Sequence, residues 1–121
     1  MALNQPLRDY PEFVAGFACV TRADSPGVRR VTLSGELDMA SAPELHEALS
    51  EAARDGVAVI LDLSQLEFID SSGLHTILSA YDRLDEANCR LVLIAGGPQV
   101  QRIFEITDVG HRLEFVTGSD A

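Results

Sequence analysis

Apolar positions along the chain switch between two periods, and the switches outline a β-β-α-β-α-β-α-β order. Phe13 to Arg22 is rich in β-formers, and Val28 to Ser34 alternates, with Val31 and Leu33 on one face. Between them Ala23-Asp24-Ser25-Pro26-Gly27 is a dense turn signal, so the two segments predict a hairpin. Leu45, Ala48, Leu49 and Ala52 then recur at helical spacing. Ser41-Ala42-Pro43-Glu44 ahead of them has the Ser-x-x-Glu form of a capping box, and Asp55-Gly56 closes the helix. Val57 to Leu63 is almost unbroken Val, Ile and Leu, the pattern of a strand covered on both faces. Leu74, Ile77, Leu78, Tyr81 and Leu84 define a second amphipathic helix, and Arg90 to Ala95 another buried strand. Gly96-Gly97-Pro98 opens a third helix with Val100, Ile103 and Phe104 inward, Gly110 closes it, and Leu113 to Val116 is a last short strand. Met1 to Pro11, with two prolines and mixed polarity, reads as a flexible N-terminal arm, leaving residues 12–121 as one domain.

This order predicts an α/β fold with a mixed, mostly parallel sheet of about five strands and packed helices. Strand–helix–strand crossovers return the chain parallel and right-handed. The carboxyl ends of the second, third and fourth strands are therefore expected along one edge, where open α/β sheets place their binding sites. Three stretches fall there: Gly35-Glu36-Leu37-Asp38, Asp70-Ser71-Ser72-Gly73 and Gly96-Gly97-Pro98.

Charge narrows the partners. Nineteen acids against nine Lys and Arg leave a formal net charge of −10. Such a chain repels nucleic acid and anionic membranes, since phosphate binding depends on clustered cations. A protein or a small ligand is the expected partner. No apolar run is long enough to cross a bilayer, so no membrane insertion is expected. MALNQPLRDYPEF shows no charged leader ahead of a long apolar stretch, so a cytoplasmic location is expected. Cys19 and Cys89 sit in or beside apolar segments without metal or redox spacing, and read as reduced structural thiols.

The stretch Phe68-Ile69-Asp70-Ser71-Ser72-Gly73-Leu74 carries more than a helix start needs. One N-cap suffices, and this run offers three. Gly73 in the first turn costs helix stability, and a glycine there suits close approach by a phosphate or a partner backbone. Catalysis by Ser71 or Ser72 is not expected. The Gly-x-Ser-x-Gly elbow is absent, His75 reads as pointing away from Ser71, and His46 and His111 lie on other segments. No histidine pairing matches a metal motif, and no phosphate-binding Gly-rich loop occurs, so neither metal nor cofactor is expected. Glu36 and Asp38 read as loop acids, either solvated or serving the rim.

Gly35-Glu36-Leu37-Asp38, the strand Val59 to Leu63 with Ser64, and above all Phe68 to Leu74 resemble the STAS-domain family, most closely its free-standing bacterial anti-sigma factor antagonists. The resemblance runs from about Phe13 to Val116. It implies a non-enzymatic, phosphorylation-switched binding module. An anti-sigma factor that is also a serine kinase would phosphorylate Ser71. The unmodified protein would sequester that kinase and free a sigma factor, and a serine phosphatase would reset it. Asp38, Asp70, Ser72 and Gly73 would belong to the partner-binding rim. The alternative is a structural STAS subunit of a larger signalling or membrane-associated complex, in which Ser71 serves only as a cap.

Overall fold

The computed structural model describes residues 16–54 and 56–116. The expected arm, the first residues of the expected opening strand and Asp55 lie outside them. Five strands and three helices follow the predicted order: β1 Phe17–Ser25, β2 Val28–Leu37, α1 Ala42–Arg54, β3 Ala58–Ile69, α2 Ser71–Glu86, β4 Arg90–Ile94, α3 Pro98–Ile106 and β5 Glu114–Val116. The strands lie side by side in chain order; β1 is antiparallel to β2, and every later pairing is parallel.

A sheet ordered this way moves one strand sideways in the same direction at each right-handed crossover. Its crossover helices therefore share one face. The side chains agree: Val31, Leu33, Val59, Leu61, Leu63, Leu91 and Leu93 form one buried cluster with Leu45 and Leu49 of α1, Ile77 and Leu84 of α2, and Val100 and Phe104 of α3. Phe115 on β5 closes one end with its ring edge-on to Phe104, the centroids 5.3 Å apart. Strand residues of opposite parity, among them Val28, Ala58, Ile60, Val92 and Val116, line a shallow depression of about 320 Å³ on the other face. The α2–α1 contact is polar at its margin, where Arg83 donates to Ser50 Oγ at 3.0 Å and meets His46 Nδ1 at 3.2 Å.

Four boundaries differ by three residues or more from those the sequence predicts, the first being β2, expected to end at Ser34 and running to Leu37. The hairpin turn is tighter, since β1 runs on to Ser25 and only Pro26 and Gly27 connect it to β2. The third helix stops at Ile106, and Gly110 begins a short 3-10 turn instead of closing it. The largest difference is β3, expected to end at Leu63 and found to run to Ile69. Its register against β2 slips twice: Thr32 faces Asp62 but Ser34 faces Gln65, and Gly35 faces Leu66 but Glu36 faces Phe68. Each slip adds one β3 residue, as in a β-bulge. Buried positions therefore fall at Leu63, Leu66 and Ile69, every third residue, and the alternation that marks a strand is lost.

Candidate functional site

The end of β3 and the end of β2 are level. Glu36 faces Phe68 and Leu37 faces Ile69, and the Asp70 N–H donates to the Leu37 carbonyl at 3.1 Å, one step beyond the strands. Asp70 keeps an extended backbone (φ −111°, ψ −173°) and caps α2: its Oδ1 accepts from Gly73 N at 3.0 Å, and its carbonyl accepts from Leu74 N at 3.0 Å. Of the three capping candidates, then, the acid serves. Ser71 is the first residue of the helix and stands exposed; Ser72 is half-buried, its carbonyl accepting from Thr76 Oγ1 at 3.0 Å.

Gly73 has a different role from the one its sequence context implies. It is buried, and its amide is taken by Asp70. A Cβ there would lie 2.7 Å from Leu37 Cγ and 3.0 Å from Ile69 Cγ1. The glycine lets the helix start sit directly on the strand ends; it does not offer an open amide to a visitor. At the neighbouring Gly35 the backbone has φ +82°, and a Cβ would collide with the Gly16 carbonyl oxygen, so the close approach of the residue before β1 to β2 also demands glycine.

Asp38 is half-buried, and its Oδ1 accepts from the backbone N–H of Ala40 at 3.0 Å and of Ser41 at 3.2 Å. Its Oδ1 thus shapes the turn into α1. The capping box predicted at Ser41 does not form. Glu44 N donates to the Ser41 carbonyl at 3.1 Å, while the Ser41 hydroxyl turns back toward β2, donating to the Glu36 carbonyl and accepting from Asp38 N, both at 2.9 Å.

The third expected component of the rim sits lower. Pairing of β3 with β4 ends at Asp62 opposite Ile94, so Gly96-Gly97-Pro98 starts α3 well short of Asp70. Gly96 N donates to Gln101 Oε1 at 2.8 Å, which makes that stretch a helix entrance. The rim is built from two strand ends. Sequence reasoning passed over its apolar part: Met39, 75% exposed, beside Asp38, and Phe68, 48% exposed, beside Asp70. Phe68 could have been found as an aromatic on the polar side of its strand; Met39 carries no comparable signal.

His75 lies four positions after Ser71 in α2, which places both on one side of the helix, contrary to the reading that it points away. Among the described residues no hydrogen bond joins the two side chains. Nor do three His, Cys, Asp or Glu side chains of the described residues converge to hold a metal ion. Both thiols are held protonated: burial, then Glu44, pushes Cys19 up to about 11, and burial raises Cys89. No helix of the described residues is long and apolar enough to cross a membrane.

The STAS domain family model matches residues 21–118, and the chain belongs to that family. It is 31% identical over 85 residues to the anti-sigma-B factor antagonist of Listeria monocytogenes, covering 69% of this chain and 75% of that one. It superposes on an anti-sigma factor antagonist from Mycobacterium paratuberculosis with a TM-score of 0.77 at 30% identity, over 86% of this chain and 89% of the other. The antagonist SpoIIAA shares the fold in its unphosphorylated form (TM-score 0.71, 23% identity, 85% of this chain and 91% of the other). It does so also in its phosphorylated form (TM-score 0.66, 22% identity, 85% and 95%).

Proposed function

We propose that this chain is an anti-sigma factor antagonist, switched by phosphorylation of Ser71. The unmodified protein captures a kinase-type anti-sigma factor through the β2–β3 rim and so frees a sigma factor in the cytoplasm. The captured kinase phosphorylates Ser71, the complex separates, and a serine phosphatase restores the hydroxyl. The names of its relatives support the antagonist role. The observation that carries the switch is the division of labour at the helix start: Asp70 does the capping, and Ser71 beside it is exposed.

A phosphate on Ser71 adds about −1.5 to −2 charge at the first residue of α2, where the helix dipole favours an anion. Repulsion from Asp70 opposes that gain, and the fold tolerates the modification. A partner surface shaped around Ser71, Ser72, Met39 and Phe68 does not, because it would have to bury a dianion next to an existing carboxylate. Asp38, Asp70 and Gly73 serve the same surface from beneath, by fixing its backbone.

The test is incubation with a kinase-type anti-sigma factor of the source organism, ATP and magnesium, followed by mass mapping and calorimetry. One phosphate is expected, at Ser71, with folding stability within about 1 kcal/mol of the unmodified protein. Partner affinity should fall at least ~100-fold, or about 2.7 kcal/mol. Ser71→Ala should bind and escape regulation; Ser71→Asp, with about half the charge, should imitate the phosphate only partly. Phosphate on Ser72 or Thr76 with Ser71 untouched would reject the assignment, and equal affinities would reduce Ser71 to a plain helix residue.

A further inference from the structure

Among the described residues Ser41 is the one polar side chain in the buried set, 7% exposed. A buried hydroxyl is retained where it satisfies other groups, and the groups here are specific. It donates to the Glu36 carbonyl and accepts from Asp38 N, the two peptide groups that flank Leu37. It also lies 3.2 Å from Asp38 Oδ1, the atom that holds the Ala40 and Ser41 amides.

Leu37 is the residue on which the start of α2 rests. Its carbonyl accepts from Asp70 N, and its side chain fills the space above Gly73 that a Cβ would need. The hydroxyl therefore grips the backbone on both sides of the residue that seats Asp70 and Gly73, and Ser71 lies between those two.

We infer that Ser41 is a positioning residue for Ser71: its hydroxyl clamps Leu37, and Leu37 sets the height and angle at which the helix start presents the phosphoacceptor. The inference rests on the reading of Ser71 as phosphoacceptor, but the clamp also has a consequence in the free protein. Without the hydroxyl, the Glu36 carbonyl and the Asp38 amide lose their common partner and the β2 end loosens locally. The Asp70 and Gly73 amides should then open more often than those of β4, which the clamp does not touch.

The experiment compares Ser41→Ala with the wild type and with a Phe104→Leu control far along α3, conditions being chosen so that the two variants have equal global stability. Amide hydrogen exchange in the free protein is followed by NMR. Asp70 and Gly73 should exchange about tenfold faster in Ser41→Ala, with Leu91 and Leu93 unchanged beyond the control, as expected for local opening. With a kinase-type anti-sigma factor of the source organism and ATP, kcat/KM at Ser71 should fall about tenfold in Ser41→Ala and stay within twofold in the control, the size of losing one hydrogen bond's order. Ser41→Thr, which keeps the hydroxyl, should restore both readouts. If Ser41→Ala does not fold, Ser41→Cys, close in volume and a weak hydrogen-bonding group, carries the same comparison. Exchange at Asp70 that is unchanged, or changed equally in the control, would overturn the clamp. A wild-type protein that no such kinase modifies would overturn the Ser71 reading, while the exchange measurement still decides the clamp.

Discussion

Replacing Gly73 by alanine tests how the helix start is seated. In an open first turn the change should stabilise, because alanine is the better helix former by up to about 1 kcal/mol. Here the new methyl would stand 2.7 Å from Leu37 Cγ, 2.9 Å from Leu37 Cδ2 and 3.0 Å from Ile69 Cγ1. Favourable carbon–carbon contacts lie at about 3.5–4.0 Å, so Leu37 must retreat by roughly 1 Å. It cannot do so freely, being fully buried within the cluster that joins β2 to α1 and α2. Overpacking of this kind costs about 1–3 kcal/mol. With the middle of that range, about 2 kcal/mol, set against a propensity gain of up to about 1 kcal/mol, the net loss should be about 1–2 kcal/mol. With a urea m-value of about 2 kcal/mol per molar, the middle of the range for small proteins, the unfolding midpoint should fall by roughly 0.5–1 M at constant m. The diagnostic step repeats the substitution in Leu37→Ala, which by itself should cost about 2–5 kcal/mol. There the methyl enters vacated space, so Gly73→Ala should become neutral or favourable, and the two changes should couple by about 1 kcal/mol or more. A higher midpoint for Gly73→Ala alone, or equal costs in both backgrounds, would show that Leu37 does not confine this turn.

Asp70→Ala should lose about 1 kcal/mol of stability in the same urea assay while Asp70→Asn keeps most of it, since asparagine also caps; a loss of only a tenth or two would mean the cap is idle. Ser71→Ala, at an exposed position, should stay within about 0.5 kcal/mol, and a larger loss would contradict its separation from the cap. With Cys19 pushed up to about 11, its alkylation by iodoacetamide at pH 8 should be roughly 100-fold slower in the folded than in the urea-unfolded protein, speeding up toward pH 11; equal rates would refute a half-buried, protonated thiol. Arg90, donating to Glu114, holds that carboxyl below the ordinary glutamate range. A lowered acid stabilises the fold above its ordinary pKa and loses that contribution as pH falls through the lowered value, so Arg90→Gln should narrow its melting-temperature gap to wild type in acid; a gap independent of pH would refute the linkage.

Local pattern carried most of the fold. Helical spacing of Leu45, Leu49 and Ala52, and of Leu74, Ile77 and Leu84, marks faces that the structure does bury, because a helix closes its own hydrogen bonds and its buried side depends only on residue order. The parallel pairing of the later strands, and with it the place of Asp70 and Ser71 at a strand's carboxyl end, followed from the strand–helix–strand order, because such crossovers return the chain in the same direction; which strands are neighbours is known only from the sheet itself. What escaped that reasoning depends on partners distant in sequence. The last third of β3 looked like loop because two register slips against β2 turn its buried positions to every third residue, and a slip exists only once the neighbouring strand is in place. Ser41 and Glu44 carry the letters of a capping box, yet the hydroxyl is drawn to Glu36 and Asp38 because the β2 end lies within reach. Gly73 looked like an opening for a ligand and is instead a seat for Leu37, thirty-six positions earlier in the chain. Sequence by itself determined which elements form, in what order, and that an acid and a hydroxyl stand at the third strand's end. Tertiary structure decided which groups at that end are used up in holding the backbone and which, Ser71 with Met39 and Phe68, are left facing outward. That division depends on which backbone amides and side chains come within about 3 Å of one another across the sheet, and spacing along a chain does not encode it.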